Sequence, residues 1–210
     1  MTVHTLTVGP FESNCYLVEE KGFCLLLDPG ADAEQVIRAT PSVPVAILLT
    51  HGHIDHISAL PRLHAVWPET PIFLHAADLA WAFQPTNAIP PYYESVHMKA
   101  GRVLPLPAAQ WAGGPFVWTL LPAPGHTPGG VCFYHSESAS VFTGDTLFEG
   151  TVGRTDLPGS DARALNDSLQ LLAALPPETR VYPGHGASTT IARELTNNFF
   201  LSAAARRNAG

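Results

Sequence analysis

Residues 51–56 read His51-Gly52-His53-Ile54-Asp55-His56 and place three imidazoles and one carboxylate within six positions. Imidazole nitrogen and carboxylate oxygen are the ligand types with which proteins hold zinc, iron or manganese. A loop in which solvated histidines merely cluster is the alternative interpretation, but the pattern H-x-H-x-D-H rarely arises by chance. The segment therefore predicts a metal site.

The residues on either side of this segment indicate how the ligands are held. Residues 45–49, Val-Ala-Ile-Leu-Leu, form a continuous apolar run that is typical of a strand buried on both faces. Downstream, apolar residues recur at helical spacing from Ile57 to Trp67, until Pro68 ends the pattern. The ligands are thus predicted to lie in a loop between a buried strand and a helix. Ligand groups this close together cannot all converge on one small ion without strain, so the spacing favours two adjacent ions.

Three residues farther along the chain are candidates for the remaining ligands. His126, Asp145 and His185 each lie in a Gly-containing turn that follows a predicted strand. Glycine permits tight turns and close backbone approach, and loops carried by a rigid sheet commonly hold site residues. Any one of these turns could be purely structural, but together with residues 51–56 they predict further ligands of the same site.

The order of these segments resembles the metallo-β-lactamase superfamily over nearly the whole chain. The motifs that carry the resemblance are Asn14-Cys15-Tyr16-Leu17, Leu27-Asp28-Pro29-Gly30, residues 51–56, Gly125-His126-Thr127, Gly144-Asp145-Thr146-Leu147-Phe148 and Gly184-His185-Gly186. The resemblance implies an α/β fold, a four-layer αβ/βα sandwich in which two mixed sheets pack face to face. Helices would cover the outer faces, and the metals would lie at one edge.

The same resemblance implies two divalent metal ions, with zinc as the first expectation and iron or manganese as alternatives. The first ion would take His51, His53 and His126. The second ion would take Asp55, His56 and His185, and Asp145 would bridge the two.

Residues 147–159, Leu-Phe-Glu-Gly-Thr-Val-Gly-Arg-Thr-Asp-Leu-Pro-Gly, are similar to a signature of the short glyoxalase II branch, the hydroxyacylglutathione hydrolase-like enzymes. Longer members carry a C-terminal helical domain that helps to bind glutathione, whereas residues 1–210 here are expected to form one catalytic domain. In those enzymes a Lys and a Tyr follow the bridging Asp, and Arg154 and Asp156 stand at the matching positions. Arg154 is expected to bind an anionic group of the substrate, because Arg can contact a carboxylate through two hydrogen bonds. Asp156 cannot replace the Tyr.

The resemblance implies a binuclear metal-dependent hydrolase that cleaves a small-molecule thioester similar to S-D-lactoylglutathione. A metal-bridging hydroxide would attack the thioester carbonyl, and Asp55 would act as a catalytic residue that orients the hydroxide. The alternative is a persulfide dioxygenase of the same superfamily, with a single iron held by His51 or His53 together with His126 and Asp145. A β-lactamase is less favoured because no secretory signal is seen, and a non-catalytic metal protein is less favoured because the ligand set is complete.

Composition limits the partners of this chain. The formal net charge is −7 and only two lysines, Lys21 and Lys99, are present, so no basic surface for nucleic acid is expected. No apolar run reaches the length of about 20 residues that a membrane helix needs, and the first residues lack the pattern of a secretory signal. Three cysteines, Cys15, Cys24 and Cys132, lie in apolar strand-like segments and are expected to be buried small hydrophobes. The sequence thus predicts a cytoplasmic enzyme that binds neither membrane nor nucleic acid.

The remaining predictions concern secondary structure and one loop. Helices are predicted over residues 31–39, 76–83, 161–175 and 189 to about 206, with Ser160 as the N-cap of the third. The last helix has a mostly apolar face that is expected to pack into the core. The Pro-rich stretch 84–100 contains Tyr92-Tyr93, which could form a lid over the metals or a packed surface turn. His75 is expected to lie away from the metals.

Overall fold

The computed structural model describes residues 1–99 and 101–208, with side chains as far as Ala204. Two six-stranded sheets pack face to face and helices cover their outer faces. This is the four-layer αβ/βα sandwich that the sequence predicts. Of the predicted loop 84–100, the last position lies outside the described residues.

The first sheet contains the N-terminal half of the chain in sequential strand order. Its strands are β1 (Thr2–Val8), β2 (Ser13–Glu20), β3 (Phe23–Leu27), β4 (Ile47–Leu48), β5 (Ile72–Leu74) and β6 (Val103–Pro105). Strands β1 to β3 pair antiparallel, and β3 to β6 pair parallel, so the sheet is mixed. The carboxyl ends of β3, β4 and β5 therefore lie along one edge.

The second sheet is formed by the C-terminal half of the chain. The strands of this half are β7 (Gln110–Gly113), β8 (Phe116–Pro122), β9 (Val131–His135), β10 (Ser140–Gly144), β11 (Leu147–Phe148), β12 (Thr151–Val152), β13 (Arg180–Pro183) and β14 (Thr189–Thr190). The strand order in the sheet is β14-β13-β10-β9-β8-β7. Strands β10 and β13 pair parallel, whereas β11 and β12 form a separate hairpin. The carboxyl ends of β10 and β13 are thus adjacent.

Seven α-helices are present in the described part of the chain. They are α1 (Ala33–Ala39), α2 (Ile54–Ile57), α3 (Leu60–Val66), α4 (Ala76–Leu79), α5 (Ala162–Ala173), α6 (Ile191–Asn197) and α7 (Phe199–Asn208). None of these helices is both long and apolar enough to cross a membrane.

Alternate side chains of β3 pack into two different hydrophobic cores. Leu25 and Leu27 pack between the two sheets, against residues that include Phe116 and Trp118 of β8. Cys24 and Leu26 point to the other face and join the core beneath the helices of the first half. Successive side chains of a strand point to opposite faces, so a strand that is buried on both sides needs a continuous apolar run. A third core, between the second sheet and α5 and α7, completes the sandwich.

The predicted helices are present but shorter than their patterns indicate. The helix predicted from residue 31 begins at Ala33, because Asp32 has a left-handed backbone with φ of 49°. The helix predicted over 76–83 ends at Leu79, and the helical pattern after His56 is divided between α2 and α3. Apolar spacing does not distinguish a helix from the isolated turns that follow these helices.

Two predictions at the C-terminal half are wrong. The N-cap of α5 is Asp161, whose side chain accepts hydrogen bonds from the backbone of Arg163 and Ala164; Ser160 instead donates to the carbonyl of His126, at 2.9 Å. The single helix predicted from residue 189 is interrupted, because Thr189 and Thr190 pair in β14 and buried Asn198 separates α6 from α7.

The last helical face is only partly core, contrary to the prediction. Ile191, Asn198 and Leu201 are buried as expected. Phe199 belongs to the same apolar pattern but is 72% exposed, because the break at Asn198 changes which side of the chain faces the sheet.

Candidate metal centre

All seven predicted ligands meet at the edge where β4, β8, β10 and β13 end. His51 and His53 lie in the loop after β4, and Asp55 and His56 lie in the first turn of α2. The turns after β8, β10 and β13 supply His126, Asp145 and His185 respectively. The site is therefore assembled from both sheets, and three of its positions lie about 70 residues or more from the first cluster in the chain.

The first group of ligand atoms comes from His51, His53 and His126. These atoms lie within 4.8 Å of one another, and all three are imidazole nitrogens. His53 Nδ1 is 2.8 Å from His126 Nε2. Two ring nitrogens this close can share a proton or a cation, and three imidazoles are a donor set typical of zinc and iron.

The second group comes from Asp55, His56 and His185 and also lies within 4.8 Å. Asp55 Oδ2 is 3.3 Å from His185 Nε2 and 3.6 Å from His56 Nε2. The group combines two nitrogens with a carboxylate oxygen, as a site for a divalent ion requires.

Asp145 lies between the two groups. Its Oδ2 atom is 3.5 Å from His126 Nε2 in the first group and 3.6 Å from His185 Nε2 in the second. Its Oδ1 atom is 3.4 Å from His56 Nε2. This carboxylate is thus placed where it could contact two adjacent cations.

Hydrogen bonds to backbone carbonyls fix the orientation of two of these rings. His126 Nδ1 is 2.9 Å from the carbonyl oxygen of Arg154, and His185 Nδ1 is 3.0 Å from that of Phe11. Because a carbonyl oxygen can only accept, each Nδ1 carries the proton. In the neutral ring the lone pair is then on Nε2, which faces the centre, in the arrangement that is usual for ligating histidines.

Asp28 performs the same role for His51 and His56 through a buried chain of hydrogen bonds. Asp28 Oδ2 accepts from Thr50 Oγ1 at 2.6 Å and lies 3.2 Å from His56 Nδ1, while Oδ1 accepts from the Thr50 backbone at 2.8 Å. Since Thr50 Oγ1 donates to Asp28, it accepts from His51 Nδ1 at 3.0 Å. Asp28, His51 and His56 could themselves form a third ligand group. Both oxygens of Asp28 already accept hydrogen bonds, so we expect Asp28 to orient the His51 and His56 rings rather than to bind an ion directly.

A second supporting carboxylate, Asp78, is one that the sequence does not reveal. It is fully buried in the first turn of α4 and accepts from the backbone nitrogens of Gly52 and Gly129 and from Thr127 Oγ1, at 2.7–2.9 Å. One side chain thus joins the loop of His51 and His53 to the loop of His126. No local sequence pattern marks it, because three of its donors, in Gly52, Thr127 and Gly129, lie 26 to 51 positions away along the chain.

The motif around Asn14 holds the loop of His185. Asn14 Nδ2 donates to the carbonyls of Pro183 and Gly186, and Tyr16 Oη donates to the same Pro183 carbonyl at 2.6 Å. Ser13 Oγ donates to Asp55 Oδ2 at 3.1 Å. Asn14 and Pro183 are 169 positions apart, so strand β2 positions a ligand loop from the opposite end of the chain.

Two glycines allow the ligand loops to approach one another. A Cβ atom on Gly184 would collide with Asp145 Oδ1 and would lie 2.9 Å from His56 Cε1. A Cβ atom on Gly153 would collide with the backbone oxygen of Asp145. Only glycine permits this spacing, which accounts for the Gly residues beside the predicted ligands.

Three buried polar atoms point into the centre without a hydrogen-bond partner: His51 Nε2, His56 Nε2 and Asp145 Oδ1. An unpaired buried polar atom costs free energy, so such atoms are rare in folded proteins. Three of them in one place, each a good metal ligand, fit a site for divalent ions.

The first group carries little charge of its own. Burial, followed by the repulsion of His56 and His53, holds the pKa of His51 well below its ordinary value. Burial and the adjacent His126 lower the pKa of His53 to about 3. Both rings are therefore unprotonated at neutral pH, as metal binding requires.

The second group holds charges of both signs. Burial opposes the charge of His56, but the carboxylates of Asp55, Asp145 and Asp28 outweigh it and raise the pKa of His56 to about 10. For His185, burial is likewise outweighed by Asp55 and Asp145, and the pKa is raised. Burial would raise the pKa of Asp55, but His56 and His185 hold it below its usual range.

Arg154, the predicted substrate-binding residue, lies at the exposed rim of the centre. Its backbone carbonyl supports His126, while its guanidinium makes two hydrogen bonds to the Asp156 carboxylate, at 2.6 and 2.7 Å. Arg154 is thus near the centre, but its cationic group is already engaged by the residue that stands where longer enzymes have Tyr.

Several other predictions can be compared with the structure. Cys15, Cys24 and Cys132 are buried and free, as expected, and burial raises the pKa of the Cys132 thiol to about 12. His75 caps α4 by accepting from the backbone of Ala77. Of the two loop tyrosines, Tyr93 is buried against Phe11 and Tyr92 is 60% exposed.

Comparison with known proteins agrees with this architecture. The sequence profile described as Metallo-beta-lactamase superfamily matches residues 8–185. The chain belongs to this superfamily. The two mixed sheets and the outer helices are those of the metallo-β-lactamase fold.

Three relatives within the superfamily are similar over almost their full length. A protein described as a probable metallo-hydrolase, YqgX of Bacillus subtilis, is 35% identical, over 94% of this chain and 96% of its own. Hydroxyacylglutathione hydrolase GloC of Haemophilus influenzae is 31% identical, over 96% of this chain and 99% of its own. The crystal structure of TTHA1623 in a di-iron-bound form is 41% identical with a TM-score of 0.80, over 94% of this chain and 100% of that one.

Replacing Asp28 by Asn tests its supporting role. The amide lacks the negative charge that favours the Nδ1 protons of His51 and His56, so we expect the affinity for zinc to fall about 10–100-fold. Competition with a chromophoric chelator measures this affinity. Asp167→Asn, at an exposed position of α5, is the matched control. Unchanged affinity in a folded Asp28→Asn protein would show that the buried chain does not orient the rings.

The two groups differ in the protons that they must release. A ligating nitrogen must be unprotonated, so an ion in the first group should displace no proton from His51 or His53 at about pH 7, whereas one in the second should displace protons from His56 and His185, whose pKa values are both raised. The pKa of His56 is raised to about 10 by the surrounding carboxylates. Affinity at the second group should therefore rise at least about tenfold per pH unit below that pKa.

Titration calorimetry in buffers of different ionisation enthalpy measures the released protons. His185→Ala leaves only the first group complete, and His53→Ala leaves only the second. Equal proton release by the two variants would contradict the difference.

Proposed function

We propose that this metallo-hydrolase superfamily member cleaves a small-molecule thioester with the help of two divalent ions. The observation that carries the proposal is the pair of complete ligand groups that share one carboxylate, Asp145. Support comes from GloC, a relative described as hydroxyacylglutathione hydrolase, and from TTHA1623, whose structure is described as di-iron-bound.

In this proposal each group holds one ion. His51, His53 and His126 would hold one ion, Asp55, His56 and His185 would hold the other, and Asp145 is placed to serve both groups. The donors are borderline to hard, so zinc, iron and manganese all suit them. Metal analysis of the purified protein decides among these.

When bound, two divalent ions would supply a water of pKa near 7 and polarise a carbonyl oxygen, which is the chemistry that thioester hydrolysis needs. Asp55 is ionised at neutral pH, since His56 and His185 hold its pKa below the usual range. Its carboxylate can therefore accept a hydrogen bond from the attacking water and orient it. A thiolate is a good leaving group that requires no proton, so the chain needs no dedicated general acid beside the sulfur.

The use of the second ligand group is where hydrolysis and persulfide oxidation differ, because hydrolysis would fill it and a persulfide dioxygenase would leave it unfilled. The alternative enzyme would need only one iron, at His51 or His53, His126 and Asp145. Asp55, His56 and His185 also converge within 4.8 Å, and Asp28, Ser13 and the Phe11 carbonyl each hold one of them in place. Such support is expected of residues that bind an ion.

Hydrolysis of S-D-lactoylglutathione, followed by loss of thioester absorbance, tests the proposal. The metal-replete protein should reach a kcat/KM of about 10⁴ M⁻¹s⁻¹ or more. Asp55→Ala and His126→Ala should each abolish turnover, whereas His97→Ala, at an exposed position, should not change it. Near-normal turnover in either site variant would contradict the assignment. One iron per chain with thiol-dependent oxygen uptake, and no hydrolysis, would identify the dioxygenase instead.

Arg154 is proposed to bind the carboxylate of an anionic thiol carrier, in competition with Asp156. Arg154→Gln should then raise KM about tenfold for a glutathione thioester, the loss expected for a charge-assisted hydrogen bond. Asp156→Asn frees the guanidinium and should lower KM. Thioesters of N-acetylcysteamine, an uncharged carrier, are the control and should respond to neither change. Equal responses with both carriers would exclude this role.

A further inference from the structure

A cavity of about 320 Å³ opens beside His53, at the rim of the metal centre. Its walls come from four separate segments: the loop of His53, the turns after α4, the loop of His126 and the segment after Arg154. The residues that shape it are His53, Trp81, Ile89, Pro128, Leu157 and Pro158. A cavity of this size holds about ten water molecules, at about 30 Å³ each, and is within the range of small-molecule sites.

Besides His53, three side chains around this cavity carry polar atoms, Trp81, Thr86 and Asn87, and the N–H donors of Trp81 and Asn87 are bound by the protein. Trp81 Nε1 donates to Asp78 at 3.3 Å, which leaves the indole ring as an apolar wall 5.4 Å from the His53 ring. Asn87 Nδ2 donates to the carbonyls of Gly52 and Ala82, at 2.8 and 2.7 Å. Besides His53, the cavity therefore presents mainly carbon to an occupant.

No Asp, Glu, Lys or Arg of the described chain is among the residues that line the cavity. A charged group placed there would lose its hydration without gaining a partner, which is strongly unfavourable. A thiol carrier with carboxylates, such as glutathione, would therefore point away from it. Ile89 is 42% exposed in the protein alone, and an apolar occupant would remove that surface from water.

We propose that this cavity binds the acyl half of the substrate, and that the preferred acyl group is uncharged, apolar and branched or aromatic. The inference rests on the proposed thioester hydrolysis and names its substrate class. The single wall that the cavity shares with the metal centre is His53, a proposed ligand, so an acyl chain lying in it has its carbonyl beside the ions. A lactoyl group is small and carries a hydroxyl, and it would leave most of the cavity unfilled.

The test compares acetyl, lactoyl, 3-methylbutanoyl and phenylacetyl thioesters of N-acetylcysteamine. Each kcat/KM is divided by the rate constant for hydroxide hydrolysis of the same thioester, which removes differences in intrinsic reactivity. Filling an apolar pocket should favour the phenylacetyl over the acetyl substrate by about tenfold or more.

Leu157→Ala removes part of the cavity wall and should reduce this preference roughly fivefold, the effect of a few lost methyl or methylene contacts. Leu171→Ala is the matched control, because Leu171 is 51% exposed on α5 and does not line this cavity. The readout is the ratio between substrates, so a general loss of activity does not imitate it.

Titration calorimetry with phenylacetamide, an uncharged probe, reports on the cavity without turnover. If phenylacetamide binds, and Leu157→Ala weakens this binding while Leu171→Ala does not, the cavity is supported even if no thioester is cleaved. In that case only the hydrolase proposal fails. Hydrolysis without acyl preference would overturn the acyl pocket while leaving the hydrolase intact. If the protein shows no turnover and does not bind the probe, both the hydrolase proposal and the acyl pocket are overturned.

Discussion

The buried carboxylate of Asp28 is the interaction on which the rest of the centre depends. It lies just after β3 and accepts hydrogen bonds from the backbone and hydroxyl of Thr50, which follows β4, and it contacts His56 in α2. Two adjacent parallel strands and one helix are therefore fixed to each other at the point where the first ligands emerge. Burying such a charge is costly unless donors surround it, so the arrangement tolerates little displacement. These hydrogen bonds fix the orientation of the His51 and His56 rings.

The second sheet reaches this fixed point through Asp78 and Asn14. Asp78 joins the loop of His51 and His53 to that of His126, and Asn14 joins β2 to the loop of His185. The contacts are made mainly with backbone groups, which cannot move independently of the loops that carry them. Because the two sheets pack face to face, the candidate ligand loops are held by contacts from both sheets. Gly153 and Gly184 allow these loops to approach Asp145 closely.

The side chains of the centre are held in an arrangement that is unfavourable for folding alone. Buried nitrogens and a carboxylate oxygen lack partners, and carboxylates raise the pKa of His56 while burial and a neighbouring imidazole lower that of His53. Perturbed pKa values of this kind are concentrated at functional sites. Beside it lies a cavity of nearly opposite character, apolar and uncharged, which shares only His53 with the centre. The juxtaposition suits a reaction in which a carbonyl is activated while an apolar chain is held out of water.

The sequence by itself predicted which His and Asp residues come together and their positions after strands, because residues 51–56 are local and each later candidate ligand lies in a Gly-containing turn. It also predicted the four layers through the family resemblance. Tertiary structure alone decided which residues hold the ligands: Asp78 and Thr127 are 49 positions apart, and no local pattern links them. It likewise decided that Asp161 rather than Ser160 caps α5, and that Asn198 interrupts the last helix. The reason is physical: periodicity reports which face of an element is apolar, whereas hydrogen bonds to distant backbone groups exist only once the sheets have packed.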